Sequence, residues 1–325
     1  MRRRAVVGIL AVCVAGRHVA HAQTSSRPLR VGAVSTANNR TTSFWITFIK
    51  RMAELGYVEG QNFALDFTSL EGQLDLYTDQ TAAMVRRGVD IIIAPGVELA
   101  LRSAVTATKT LPIVMVAVDY DPLALGYVPS LSRPGGNVTG FTFQQLEQTE
   151  KRLQLLRDAF PDLRSATVLW DQVSADQWRI AQQVGPKLGL RLVGIELSGA
   201  TQDYERLLGE APAADRGALV VLMTPAVFPH RARLAEAAIR LGMPSVSGLR
   251  AYAEAGSLFS YGPSIDSVFE RVADYVDRIA RGTKAGELPI EQATRFEFVI
   301  NLRTARALGL AISPAFVARA DEVID

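Results

Sequence analysis

Few side chains in this sequence could do covalent chemistry. His18, His21 and the single cysteine, Cys13, fall in the first 22 residues, which leaves His230 as the one histidine beyond them. A Ser-His-Asp triad would have to use His230, but the sequence has no Gly-x-Ser-x-Gly turn, and Arg231 and Arg233 beside the imidazole suit an exposed helix start. Asp119 and Asp121 are the right residue types for a glycosidase pair, yet nothing in the sequence sets them ~5 to 10 Å apart across a sugar. One histidine and scattered carboxylates would suit only hard cations, and nothing clusters to hold one. Gly32 stands alone after the first apolar run, without a phosphate-cradling glycine loop, so no nucleotide cofactor is expected. The expectation is therefore recognition without catalysis, cofactor or metal.

Recognition is better supplied. Ser35, Thr36, Gly96, Val97, Asp119, Asp121, Phe141, Thr142, Trp170, Thr224, Arg250 and Tyr261 combine hydroxyls, aromatic rings and a few charges, a set that suits a small polar or amphipathic solute. Each has a plainer use. Trp170 can be core, Asp119 and Asp121 can cap a turn beside Pro122, Arg250 can pair with Glu254 one helical turn on, and Ser35 and Thr224 can be N-caps.

What would bring these residues together is an alternation of short β-branched runs and helical patterns from Leu29 onward. Strands are expected at 29–35, 62–68, 89–94, 111–118, 166–171, 192–197, 218–223 and 244–248. Phe44, Phe48 and Met52 repeat at helical spacing between the first two. The continuous run Asp90-Ile91-Ile92-Ile93-Ala94 suits a parallel sheet covered on both faces. Such sheets bind ligands beyond the carboxyl ends of their strands, where most of the candidates fall.

The second half repeats the first. Leu55-Gly56-Tyr57 matches Leu188-Gly189-Leu190 at an offset of 133, and Arg87-Gly88-Val89 matches Arg216-Gly217-Ala218 at 129. Pro95 matches Pro225 at 130, and Leu111-Pro112-Ile113 matches Met243-Pro244-Ser245 at 132. Four landmarks in order imply an α/β protein of two doubly wound parallel-sheet lobes joined by crossing hinge strands, as expected for a chain of 325 residues that is 48% hydrophobic. The breaker-rich stretch 119–136 reads as the first crossing. The expected division is a leader at 1–22, a first lobe of 23–120 plus about 264–284, and a second of 121–263 plus about 285–325.

Arg2-Arg3-Arg4, the apolar run from Ala5 to Gly16 and Ala20-His21-Ala22 have the three parts of a secretory signal peptide. The apolar run is shorter than the ~20 residues a membrane span needs. Cleavage after Ala22 would remove Arg2, Arg3, Arg4 and Arg17, leaving 31 of 35 basic residues against 33 acidic ones, a net charge of −2. No nucleic-acid partner is expected from that balance. The expectation is a periplasmic monomer, by either the general or the twin-arginine export route. Val12 before Cys13 is not the small residue that a lipid-modified cysteine wants.

Four segments then carry a family likeness: Glu54-Leu55-Gly56-Tyr57-Val58-Glu59-Gly60-Gln61-Asn62; Ser132-Arg133-Pro134-Gly135-Gly136-Asn137-Val138-Thr139-Gly140; Glu254-Ala255-Gly256-Ser257-Leu258-Phe259-Ser260-Tyr261-Gly262; and Ala318-Arg319-Ala320-Asp321-Glu322-Val323-Ile324. With them the chain resembles, nearly end to end, the substrate-binding proteins of ABC transporters, in the tryptophan/phenylalanine-binding-like family. The resemblance implies a type I periplasmic-binding fold, two lobes closing on a small-molecule solute, and an ABC permease as partner. The solute class it implies is an amino acid or an aromatic or organic acid. The ligand loops of that family correspond to Ser35-Thr36, Gly96-Val97-Glu98, Asp119 to Pro122, Thr139 to Thr142, Trp170-Asp171, Thr224-Pro225 and Gly248 to Arg250. Glu98 departs from the small residues usual there and would compete with an anionic ligand for the helix amides. The alternatives from other classes are an exported hydrolase on a two-lobed frame and a ligand sensor for a membrane receptor.

Overall fold

The computed structural model describes residues 27–36, 40–71, 73–143, 145–197, 203–224 and 226–325. The expected leader, with Cys13, His18 and His21, and Pro225 of the candidate loop Thr224-Pro225 lie outside the described residues. The strands are β1 Leu29–Ser35, β2 Phe63–Ser69, β3 Ile91–Gly96, β4 Ile113–Ala117, β5 Val138–Thr142, β6 Ser165–Trp170, β7 Arg191–Glu196, β8 Leu219–Val221, β9 Ser245–Ser247, β10 Phe259–Pro263, β11 Ile290–Gln292, β12 Phe296–Asn301 and β13 Glu322–Ile324. The helices are α1 Ser43–Glu54, α2 Tyr77–Arg86, α3 Glu98–Ala107, α4 Gln145–Ala159, α5 Ala175–Val184, α6 Tyr204–Gly209, α7 Arg231–Arg240, α8 Arg250–Glu254, α9 Ile265–Ala280, α10 Leu302–Ala307 and α11 Pro314–Val317.

Two sheets form, in the orders β11-β5-β4-β3-β1-β2 and β13-β12-β10-β9-β8-β6-β7. The first is parallel throughout, and the second turns antiparallel only between β10 and β12. The apolar runs explain the layering, because successive side chains in a strand point to opposite faces. In β3, Ile91 and Ile93 join the core under α1 and α9, whereas Ile92 and Ala94 join the one under α2 and α3. In β8, Val220 faces the α4 and α5 side and Leu219 and Val221 the α6 and α7 side. The apolar stripe of α1, Trp45, Phe48 and Met52, is fully buried in the first of these cores.

The lobe boundaries differ from the sequence reading in two places. Residues 138–142 and 290–292 pair within the first sheet, where the sequence reading put them in the second lobe. The stretch 119–136 is therefore a loop between neighbouring strands of one sheet. Its prolines and glycines mark a tied-down loop: Gly135 N–H donates to the Gly286 carbonyl at 3.1 Å, and Ile290 N–H to that of Leu131 at 2.7 Å. The chain passes from one lobe to the other between β5 and α4, between β10 and α9, and between β11 and β12. Gly140 shows why the quoted Asn-Val-Thr-Gly segment needs its glycine. Its φ is +137°, and a Cβ there would lie 2.0 Å from the Met115 carbonyl oxygen of the adjacent strand.

Candidate functional site

The carboxyl ends of both sheets face one cleft. At its centre is an apolar chamber of about 100 Å³. Phe44 at the start of α1, Phe143 just past β5 and Phe269 on α9 line it from the first lobe, and Phe228, Leu249 and Tyr252 from the second. Ser35, Thr36, Gly96 and Thr224 supply its polar rim. Gly96 ends β3 at a φ of +103°, turning the chain into α3 without a side chain to fill the chamber.

On one side the chamber opens, through Phe44, Phe228, Leu249 and Ile265, into a mouth of about 520 Å³. Arg231 of the second lobe and Asp266 of the first line this mouth, each with one buried atom, Nε and Oδ1, lacking a partner. On the other side Phe143 separates the apolar chamber from a third space of about 240 Å³. Asp119, Asp121, Glu147 and Asp176 line that space with Thr142 and the carboxamides of Gln145, Gln177 and Gln292, and among the described residues no lysine or arginine does.

Two aspartates sit behind these walls. Asp171, following β6, is buried; its Oδ1 accepts from the Ser174 amide and hydroxyl, both at 3.0 Å, and its Oδ2 from the Thr224 hydroxyl. Asp119, beyond β4, has a buried Oδ1 without a partner. Burial, and then the charge of Asp171, pushes the Asp119 carboxyl up to about 8. Beneath the floor lies Arg152 of α4, fully buried and met only by neutral acceptors: the Thr149 hydroxyl at 2.9 Å, Gln145 and Gln177 Oε1 at 3.4 Å, and the Tyr261 carbonyl at 3.5 Å. Burial draws its guanidinium down to about 10.

The sequence-derived candidates divide accordingly. Ser35, Thr36, Gly96 and Thr224 meet in the apolar chamber, and Asp119, Asp121 and Thr142 in the acidic one. Asp121 also caps its own turn, accepting from the amides of Leu123 and Ala124 at 2.8 and 3.2 Å. Arg250 reaches the mouth, but Glu254 at 2.7 Å and both oxygens of Glu322 hold its guanidinium. The other four have their side chains in cores. Val97 packs beneath α3, Phe141 lies 4.9 Å from the Tyr275 ring, and Trp170 stacks on Trp178 at 6.0 Å. Tyr261 lies against Phe296 and Phe298. Strand alternation is the reason: a residue can end a strand at the cleft and still point sideways into a helix layer.

Glu98 does not compete for the cleft. Its carboxylate accepts from the Tyr127 hydroxyl and pairs with Arg102 at 3.1 Å. His230 precedes α7 with its ring 6.3 Å from that of Tyr204. Among the described residues no group of three or more His, Cys, Asp or Glu could hold a metal ion, and no helix is long and apolar enough to cross a membrane. The aromatic wall was missed because its members come from helix starts and crossings far apart in sequence. In sequence Phe44 reads only as part of a helix face, and Phe143 stands one residue past a candidate segment.

Two parallel-sheet lobes with a chamber between them are the architecture of type I binding proteins, and solved structures share this fold. A conserved domain protein from Vibrio cholerae superposes with a TM-score of 0.82 at 23% identity, covering 92% of this chain and 100% of that one. An ABC domain from Streptococcus pneumonia, in complex with L-Trp, gives 0.79 at 20% identity over 92% and 100%. In sequence the chain is 24% identical over 269 residues to a tyrosine-binding protein of Clostridioides difficile, covering 81% of this chain and 75% of that relative. The ABC transporter substrate binding protein family model matches residues 44–324, and the chain belongs to that family. It is a solute-binding protein, and its family and relatives are substrate-binding proteins rather than enzymes.

Proposed function

We propose that the protein is the exported, periplasmic solute-binding component of an ABC importer. As a monomer it closes its two lobes on a small molecule and hands that molecule unchanged to a membrane permease. One observation carries this reading: the apolar chamber is built from both lobes, Phe143 and Phe269 facing Phe228 and Tyr252, so a solute held there is covered only when the lobes come together. The aromatic walls suit a solute with a ring or a compact apolar body. Relatives named for tyrosine or solved with L-Trp support the same class. The three crossings supply the hinge. The N-terminal leader pattern and the family's place beside membrane permeases support export.

A thermal-shift screen of the protein from Gln23 onward, over aromatic amino acids, their derivatives, nucleosides and sugars, tests this. A bound solute at 100 times its Kd raises stability by about 2.7 kcal/mol. The expected result is a hit that is recovered chemically intact and that is lost in Phe228→Asp, which places a charge in the apolar chamber. Consumption of the hit, or an undiminished shift in that variant, overturns the reading.

A further inference from the structure

The acidic space beyond Phe143 has a chemistry that the aromatic chamber does not explain. Among the described residues its wall carries four carboxylates, of which Asp176 is paired with Arg179 at 2.6 Å, and no basic side chain lines the space itself. Two buried polar atoms in it lack partners: Asp119 Oδ1 from the first lobe and Gln145 Nε2 from the start of α4. Gln145 is only 4% exposed, and its Oε1 faces the Arg152 guanidinium, so the carboxamide presents its N–H₂ as the free end. A buried acceptor and a buried donor left unmatched each destabilise the empty protein, a cost that a ligand with the complementary pair removes. The mouth differs, since Arg231 and Asp266 give it one charge of each sign.

We infer that the acidic chamber holds one end of the transported solute, a protonated nitrogen bound by Asp119 beside a neutral oxygen acceptor, hydroxyl or amide carbonyl, bound by Gln145. This rests on the cleft being the solute site, and it names the solute as a cationic amine with an apolar body. A carboxylate beside that nitrogen would meet Asp119, Asp121 and Glu147, so the zwitterionic amino acid is disfavoured against its amide. Arg152 stays screened behind Gln145 and Gln177 and orients the former. The groups facing Asp119 are Asp171 past β6, Glu98 on α3, Tyr77 on α2 and the adjacent Tyr120. With its carboxyl pushed up to about 8, Asp119 gives up a proton when a cation docks near neutral pH.

The test is titration calorimetry at pH 7 with four compounds sharing one ring: L-tyrosinamide, tyramine, L-tyrosine and N-acetyl-L-tyrosine. The wild-type protein is expected to prefer tyrosinamide, then tyramine, with tyrosine and the N-acetyl acid at least tenfold weaker. Tyrosinamide binding is expected to release a proton, read from its heat in buffers of different ionisation enthalpy. Asp119→Asn should cut tyrosinamide affinity at least tenfold and abolish the release, and Gln145→Leu should bring tyrosinamide down to the level of tyramine. The inference is overturned by an acid or zwitterion binding as well as the amines, by no amine binding, or by Asp119→Asn leaving tyrosinamide affinity within twofold. If tyrosine or N-acetyl-tyrosine binds best and Phe228→Asp still abolishes it, only the amine assignment falls. An amine that binds undiminished in Phe228→Asp removes the cleft reading instead.

Discussion

Asp119 and Asp171 each lie just past the carboxyl end of a strand, β4 in the middle of the first sheet and β6 beside the edge strand β7 of the second. Their surroundings are opposite. Asp171 is met by the Ser174 amide and hydroxyl and the Thr224 hydroxyl, so it fastens the end of β6 to the loop after β8. Asp119 keeps an oxygen buried and unmatched. The same residue type past two strand ends thus serves opposite uses, one as an internal fastening and the other held open at the cleft, with local hydroxyl donors deciding which.

The sharpest way to break this comparison is Asp171→Ala. It leaves three donors without their acceptor and should lower unfolding free energy by about 2 to 4 kcal/mol in urea denaturation; a loss under about 1 kcal/mol would make the two aspartates equivalent. Asp119→Asn should act in the other direction. A carboxyl whose folded value is raised contributes stability that is fully present below its unfolded value near 3.8 and is lost as pH rises through about 8. The asparagine variant should therefore be the more stable by about 2 kcal/mol at pH 9, with the gain fading toward pH 4. Melting curves across that range check it, and a gain that grows on acidification would reverse the assignment.

Smaller effects sharpen the contrast between cleft and core. Trp170→Phe weakens the stack on Trp178, for an expected loss of about 1 kcal/mol with solute affinity unchanged. A fall in affinity without a fall in stability would return Trp170 to the cleft. Arg250→Ala removes a half-exposed pairing with Glu254 and Glu322 and should cost under about 1 kcal/mol, less at high salt, with affinity again unchanged. Tighter or weaker solute binding in this variant, measured by calorimetry, would show that the mouth charges reach the ligand.

The fold was legible because its signals are local. Runs such as Ile91-Ile92-Ile93 and helix stripes such as Trp45, Phe48 and Met52 state their period within a few residues. Lobe membership was less so, since β5 pairs with β4 across the breaker-rich loop and β11 joins the first sheet only by pairing with β5 across 150 residues, from Gly140 to Ile290. The site was legible as loops and not as side chains. Strand ends near the cleft could be named, but which way Trp170 or Tyr261 points depends on register, and the aromatic wall depends on three crossings meeting. Arg152 gave no signal, because in sequence it is one more basic residue on a polar helix face.

The three crossings also govern when each half of the molecule can exist. Neither lobe is one continuous piece of chain, and the first sheet gains its last strand only at Ile290–Gln292, after five of the second sheet's seven strands have been synthesised. A ribosome-bound fragment ending before that point holds β5 as a bare edge, with no partner on its outer side. Both lobes must therefore finish together, late and through long-range pairing, a route that folds slowly.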